Sequence, residues 1–434
     1  MQDYAGLVLV RFEVSNYRSI ASPVELSFVA IDRDRPEVHF QESIGEGLLA
    51  VAAVFGPNAS GKSNVVSAMG WLRDAVRNSV RFWEDDIPTE PFAFGPDKLQ
   101  TSEFVLEAMV DGVRFEYRLE LDAAKVSYEA LFHYPEKKRR RVFERDDAGL
   151  KLQRGLGSLS GTRELLTDRT LALSVARRFD EPLVRKFAHE ILQIQTLGQL
   201  PRRRRTGGGA WRNPVGYMST MRWFDNFDQP TLFDDLEVDL TNGQRDAALS
   251  LLRLADLGID DVVIDERKVD YPDGSSPRRE RRVRLVHKTA SMSAPLDFAD
   301  ESEGTRTWFH LIGPVLSALQ EGSAVVFDEL DASLHPTLSA ELVNIFKSSV
   351  MNPFGAQLIF TSHDTSLLNH LNRDEVWLTE KLPDGSTRLG ALAEFAGERV
   401  RRSQNLESAY LHGRFGALPQ VDQAAFLRSL GLIG

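Results

Sequence analysis

The apolar run from Leu48 to Phe55 passes directly into Gly56-Pro57-Asn58-Ala59-Ser60-Gly61-Lys62-Ser63, a G-x-x-x-x-G-K-S spacing. No other feature narrows the possible folds as far. The run reads as a buried strand, and Val65, Met69, Leu72 and Val76 recur at helical spacing beyond the loop. Strand, glycine loop and helix in that order make a phosphate cradle. Glycines at both ends let the backbone curl until successive N–H groups converge on one anion. The helix start adds the positive end of its dipole. The predicted nucleotide contacts run from Gly56 through Pro57, Asn58, Ala59, Ser60, Gly61, Lys62 and Ser63 to Asn64. Lys62 would reach the β- and γ-phosphates, and the Ser63 hydroxyl would ligate Mg²⁺. A chance match in a glycine-rich turn is the plain alternative, and the flanking strand and helix weigh against it.

Composition bounds the rest. At 434 residues the chain is long for one core, so one large domain with insertions and two domains both fit. It has no cysteine, which excludes disulfides and thiolate metal sites and suits a reducing cytoplasm. A net charge of −11 argues against a generic polyanion binder, so any nucleic-acid contact must be local. No apolar stretch approaches the ~20 residues of a membrane span, and Met1-Gln2-Asp3-Tyr4 lacks the layout of a signal peptide. Leu7 to Phe28 reads as two strands around Asn16-Tyr17-Arg18-Ser19, and Glu103 to Tyr134 alternates with period two around Asp111-Gly112, an antiparallel meander. Residues 160–200 read as mostly helical. The four arginines and three glycines of 202–209 would either grip a phosphate backbone or form a solvated connector, and Arg278 to Arg282 reads as an exposed hairpin end. No heptad pattern is long enough for an extended coiled coil.

The second half of the chain supplies carboxylates. Ala324-Val325-Val326-Phe327 ends in Asp328-Glu329, as a Walker B strand requires. Asp328 would hold Mg²⁺ and Glu329 would deprotonate the attacking water. Gln357 to Thr361 is another apolar strand, followed by Ser362-His363-Asp364, and a His there can sense a γ-phosphate. Asp300-Glu301-Ser302-Glu303-Gly304-Thr305-Arg306 opens a helix with Ser302 as N-cap, which offers either a second anion site or simply a well-capped helix.

At these residues the chain resembles the ABC-type ATPases of the AAA superfamily, and among them the SMC, RecF and OLD-like heads. Walker A at 56–63, the signature-like Ser302-Glu303-Gly304-Thr305, Walker B at 324–329, the D-loop around Asp331 and the switch His363 stand in family order. Phe12 to Ser19 is similar to the first strands of those heads. The signature lacks the leading Leu and the Gln of L-S-G-G-Q and resembles the S-[DE]-G-T variant of OLD-related ATPases. Pro91-Phe92-Ala93-Phe94 lies where a Q-loop would fall, without a clear match. Leu411 to Pro419 resembles the G-R-F-G-A-x-P ending of the RloA/AbiL-like prokaryotic defence ATPases.

The resemblance implies an α/β ABC-type head: a mixed or parallel P-loop sheet, an antiparallel β subdomain, a helical insertion and no long coiled coil. Its expected divisions are lobe I over 1–158, a helical insertion over 159–250, lobe II over 251–400 and a tail over 401–434. It implies ATP and Mg²⁺ as cofactors, with Lys62, Glu329 and His363 catalytic, and a homodimer or higher homo-oligomer closed over shared nucleotide. Ser302, Gly304 and Asp331 would then act across that interface. A second helix N-terminus would supply donors and exclude water where one cradle covers only one side of a triphosphate. The expected function is ATP-gated control of a separately encoded nuclease-like effector in anti-phage defence. A RecF-like repair ATPase that clamps DNA and an ATP-stabilised scaffold are the alternatives. About seventy residues remain after His363, too few for a TOPRIM nuclease.

Overall fold

The computed structural model describes residues 6–94, 101–156, 159, 161–198, 215–225, 240–269, 278–332, 334–396 and 406–412. Segments 202–209 and 413–419, both singled out in the sequence, lie outside the described residues.

Six strands form the sheet that carries the glycine loop, in the order Gln195–Leu197, Ala324–Phe327, Gln357–Thr361, Val51–Phe55, Val376–Lys381, Thr387–Ala391. All neighbours are parallel except the last pair, an antiparallel hairpin. Both faces of this sheet are covered, which explains why its strands read as unbroken apolar runs. Ala52 and Val54 enter one core with Val326 and Ile359, while Val51, Ala53 and Phe55 enter the other with Val325, Leu358 and Phe360. Burying side chains of this size stabilises by about 1.5–3 kcal/mol each.

The first core is roofed by a seven-stranded antiparallel sheet. It contains Leu7–Ser15 and Val24–Ser27, and the meander Ser102–Val110, Val113–Leu121, Val126–His133. Asp111 and Gly112 both take positive φ, 47° and 70°, the geometry of a tight two-residue hairpin turn. Helix Lys62–Phe82 fills the space between the two sheets and buries Val65, Met69, Leu72 and Val76 against Phe12, Phe104 and Tyr117. The longest helix among the described residues, it has 21 residues, so no coiled-coil arm occurs among them.

The expected helical insertion over 159–250 divides between the two cores. Ala172–Ala176 and Pro182–Gln193 pack into the first, through Leu173, Phe187, Ala188 and Ile191. The chain then adds the edge strand Gln195–Leu197 beside Ala324–Phe327. Val215–Phe224 and Leu240–Ala255 belong to the second core, against helix Glu303–Glu321. Amphipathic spacing identifies these helices as packed, but it cannot say against which core.

Thr220 locks that second packing. Its hydroxyl donates to Phe309 O at 2.6 Å and accepts Gly313 N–H at 2.8 Å, so it sits inside the helix ladder one residue before Pro314. A Cβ on Gly313 would lie 2.4 Å from Thr220 N, which is why the helices can approach so closely. The hairpin Ile259–Val269 with Arg278–Lys288 continues into Ser293–Asp297 as a three-stranded sheet. Arg281 and Arg282 pair there with Asp225 and Asp297, so these two members of the basic run are held by carboxylates.

Candidate functional site

The glycine loop is built by close contact with its own sheet. Gly56 (φ 151°) and Gly61 (φ 103°) both take conformations that side chains resist. A Cβ on Gly56 would meet Thr379 Oγ1 at 2.3 Å, and one on Gly61 would meet Thr387 Oγ1 at 2.0 Å. Thr379 and Thr387 stand on the terminal hairpin of the parallel sheet. Thr387 donates to Ser60 O (2.9 Å), while the hydroxyls of Ser60 and Thr379 lie 2.6 Å apart. Ser19, between the first two strands, contacts the Thr387 hydroxyl at 2.7 Å and accepts from Asn64 at 2.6 Å. Asn64 and Ser60 thus brace the loop with their side chains, whereas Asn58 and Ala59 are exposed at its tip.

Lys62 is 6 % exposed, and its ammonium donates to Gly56 O at 2.8 Å and Pro57 O at 3.0 Å. Burial pulls its pKa down to about 8, while Asp328, Asp331 and Glu329 oppose that fall. The carboxylates that follow strand Ala324–Phe327 are therefore near enough to act on this cation.

Those carboxylates are gathered by the neighbouring strand. Thr361 donates to Asp328 Oδ1 at 2.7 Å, and the N–H of Glu329 donates to Thr361 Oγ1 at 2.7 Å. The N–H of His363 donates to the Asp331 carboxylate, 3.1 Å from Oδ1. On the other side, Asp328 N–H donates to Leu197 O at 3.0 Å. A Cβ on Gly198 would lie 2.0 Å from Asp328 O, so only glycine fits there. His363 and Glu329 are exposed, Asp328 and Asp331 half-buried.

The signature-like residues open the helix that precedes strand Ala324–Phe327. Ser302 caps helix Glu303–Glu321 by accepting Thr305 N–H at 3.1 Å. A Cβ on Gly304 would meet nothing closer than Ser302 Oγ at 3.9 Å, so this helix start is open. His287 anchors the preceding Glu301 through Nε2, 2.8 Å from Oε1. Among the described residues, no hydrogen bond or ion pair joins Ser302 or Gly304 to the Lys62 loop. Pro91 to Phe94 is pinned by Phe92 N–H to Asn16 Oδ1 at 2.9 Å, with no bond to Lys62, and provides no Q-loop side chain.

The residues fit a magnesium–triphosphate ligand. The two loop glycines leave room only for backbone, the buried ammonium faces into the loop, and Ser63 with Asp328 offers the hard oxygen donors that Mg²⁺ selects. No cluster of three or more His, Asp or Glu able to hold a metal occurs among the described residues. Mg²⁺ takes one or two protein oxygens and completes its shell from phosphates and water. Sequence reading missed Ser19, Gly198, Thr361, Thr379 and Thr387. Each acts through one hydroxyl or one missing Cβ, and no spacing reports that.

No curated protein matches this sequence. Among solved structures, the SMC head domain from Thermotoga maritima is similar at 13% identity and a TM-score of 0.38, covering 88% of this chain and 98% of that one. An SMC head bound to the C-winged helix domain of ScpA is similar at 12% identity and a TM-score of 0.40, covering 88% and 97%. No described helix is long and apolar enough to cross a membrane. A family model described as "AAA domain, putative AbiEii toxin, Type IV TA system" matches residues 51–369, from the strand before the glycine loop to beyond His363. With nearly three quarters of its length matched, the chain belongs to that AAA-domain family.

Proposed function

We propose that this protein is a Mg-dependent ATPase, converting ATP and water to ADP and phosphate, whose nucleotide-driven dimerisation controls a separate nuclease-like effector in defence against phage. The observation that carries the ATPase reading is the buried Lys62 ammonium, held by the carbonyls of its own glycine loop and within electrostatic reach of Asp328, Glu329 and Asp331.

In this reading Lys62 leaves the carbonyls of Gly56 and Pro57 for the β- and γ-phosphates. The first N–H groups of helix Lys62–Phe82, which have no intrahelical acceptor, orient the same phosphates. Ser63 and Asp328 would hold Mg²⁺, which would supply positive charge beside the phosphate oxygens. Glu329 takes a proton from the attacking water, and His363 donates a hydrogen bond towards the γ-phosphate. Ser302 and Gly304 act on the nucleotide of a second copy, because their helix start is open and unconnected to the loop of its own chain. Asp331, on the His363 backbone, relates the two sites. The family description names a toxin of a toxin–antitoxin system, which favours a defence role over a DNA-repair clamp.

Replacing Glu329 by Gln removes only the base. Turnover is expected to fall about 100-fold or more, while light scattering after gel filtration shows the ATP-dependent dimer persisting. Wild-type turnover in Glu329→Gln sinks the assigned base, and a monomer at saturating Mg·ATP sinks the dimer.

A further inference from the structure

We propose that Thr361 is the positioning residue for both Walker B carboxylates, an inference that rests on the ATPase reading above. Thr361 ends strand Gln357–Thr361 and is 0 % exposed, out of reach of any substrate. Its hydroxyl makes two bonds of 2.7 Å with opposite polarity. The N–H of Glu329 points at Oγ1, so the single hydroxyl proton is left for Asp328 Oδ1. One atom therefore holds the backbone of the base and the side chain of the metal ligand.

Glu329 needs such a hold. It sits at φ 58°, a left-handed conformation that a long side chain adopts only when its surroundings over-determine it. Thr361 supplies two of the constraints, through Oγ1 and through its carbonyl, which accepts Leu330 N–H at 3.0 Å. Ala332 N–H closes the turn on Glu329 O at 3.1 Å. The outcome is a chain reversal that buries Leu330 while leaving the Glu329 carboxylate in the open. A relaxed turn would re-aim that side chain, and general-base catalysis depends on its aim.

The Asp328 bond has a separate effect. With Oδ1 held by the hydroxyl, the carboxylate cannot rotate freely, so its remaining oxygen is offered in one orientation to a metal ion. Outer partners of this kind commonly tune metal affinity tenfold or more. Two residues further on, His363 is tied to Asp331. The end of one strand thus governs the base, the metal ligand and the His assigned to the γ-phosphate.

The test compares Thr361→Val, which keeps the shape without the hydroxyl, with Thr361→Ser, which keeps the hydroxyl. ATP turnover is measured against both ATP and Mg²⁺, and binding of a fluorescent ATP analogue serves as a check on fold. The expected result for Thr361→Val is a kcat about 10- to 100-fold lower, a raised half-saturating Mg²⁺ and nearly unchanged analogue binding. Thr361→Ser should return kcat to within about fivefold of wild type. Turnover of Thr361→Val within twofold of wild type overturns the inference, as does an equal loss in both variants, which would indicate packing. If Thr361→Val fails to fold, Thr361→Cys replaces it under the same criteria, because a thiol is a poor hydrogen-bond partner of similar size. Wild-type protein without turnover sinks the ATPase reading and this inference together. Active wild type with an indifferent Thr361→Val sinks the inference alone.

Discussion

The loop at Lys62 and the helix start at Ser302, the two proposed phosphate contacts, are assembled in opposite ways. Around Lys62, residues from four of the six strands or their ends converge: Thr379 and Thr387 brace the loop, Asp328 and Glu329 act on the Lys62 charge, and Thr361 ties those two together. Ser302 caps only its own helix, and Gly304 beside it faces open space. The loop is braced from its own sheet, whereas the helix start is held only by its cap. The difference teaches that, under the proposed function, the Lys62 half would be rigidly built within one chain and the Ser302 half would need a second copy to meet nucleotide.

Mixing is the sharpest way to break that comparison. Lys62→Ala and Ser302→Arg should each abolish turnover. Mixed in equal amounts they should recover roughly a quarter of wild-type activity, because half of the random dimers carry one intact composite site of two. No recovery would mean that Ser302 does not serve a partner. Gly61→Ala probes the built half alone. The added Cβ meets Thr387 Oγ1 at 2.0 Å in a φ of 103°. It should cost about 2–4 kcal/mol and weaken nucleotide binding at least tenfold, as read by denaturant melts and titration. Gly304→Ala, set in open space, should leave stability within about 0.5 kcal/mol.

An effect smaller than that of Gly61→Ala concerns Glu190, buried on helix Pro182–Gln193 beside the first core. Burial, with Asp111 and Glu321 adding to it, pushes this carboxyl up to about 7, and Lys186 opposes. The folded state therefore holds a proton that the unfolded chain gives up near 4.5. Stability present below about pH 4.5 declines as pH rises and is lost by pH 7–8. Glu190→Gln should raise stability at pH 8 by about 1–2 kcal/mol, change little at pH 4.5, and leave turnover untouched. A Tm unchanged at pH 8 would show that the carboxyl titrates normally.

Much of this was legible beforehand. Gly56 to Ser63 after an apolar strand, and Asp328-Glu329 after another, mark a phosphate cradle and its carboxylates because spacing alone fixes what a strand end and a helix start can hold. The meander was legible in its period-two alternation and its Asp111-Gly112 turn. The division of 159–250 between two cores was not, since an amphipathic helix declares an apolar stripe and not its partner. Nor was the commitment of Asn64 to Ser19, a bond across 45 positions in the chain.

The sequence by itself determined the chemistry: which backbone could curl around an anion, which side chains could carry charge, and in what order they occur. Only the tertiary structure decided which of those groups meet. Parallel strands distant in sequence become neighbours through the sheet, so Thr361 reaches Asp328, while the antiparallel hairpin at the sheet edge brings Thr387 to Ser60; no local pattern encodes either contact. It also gave Ser302 its bond to Thr305 at the helix start and, among the described residues, none to the Lys62 loop. Contacts between remote segments are selected by packing over the whole core, and that information is spread across many residues.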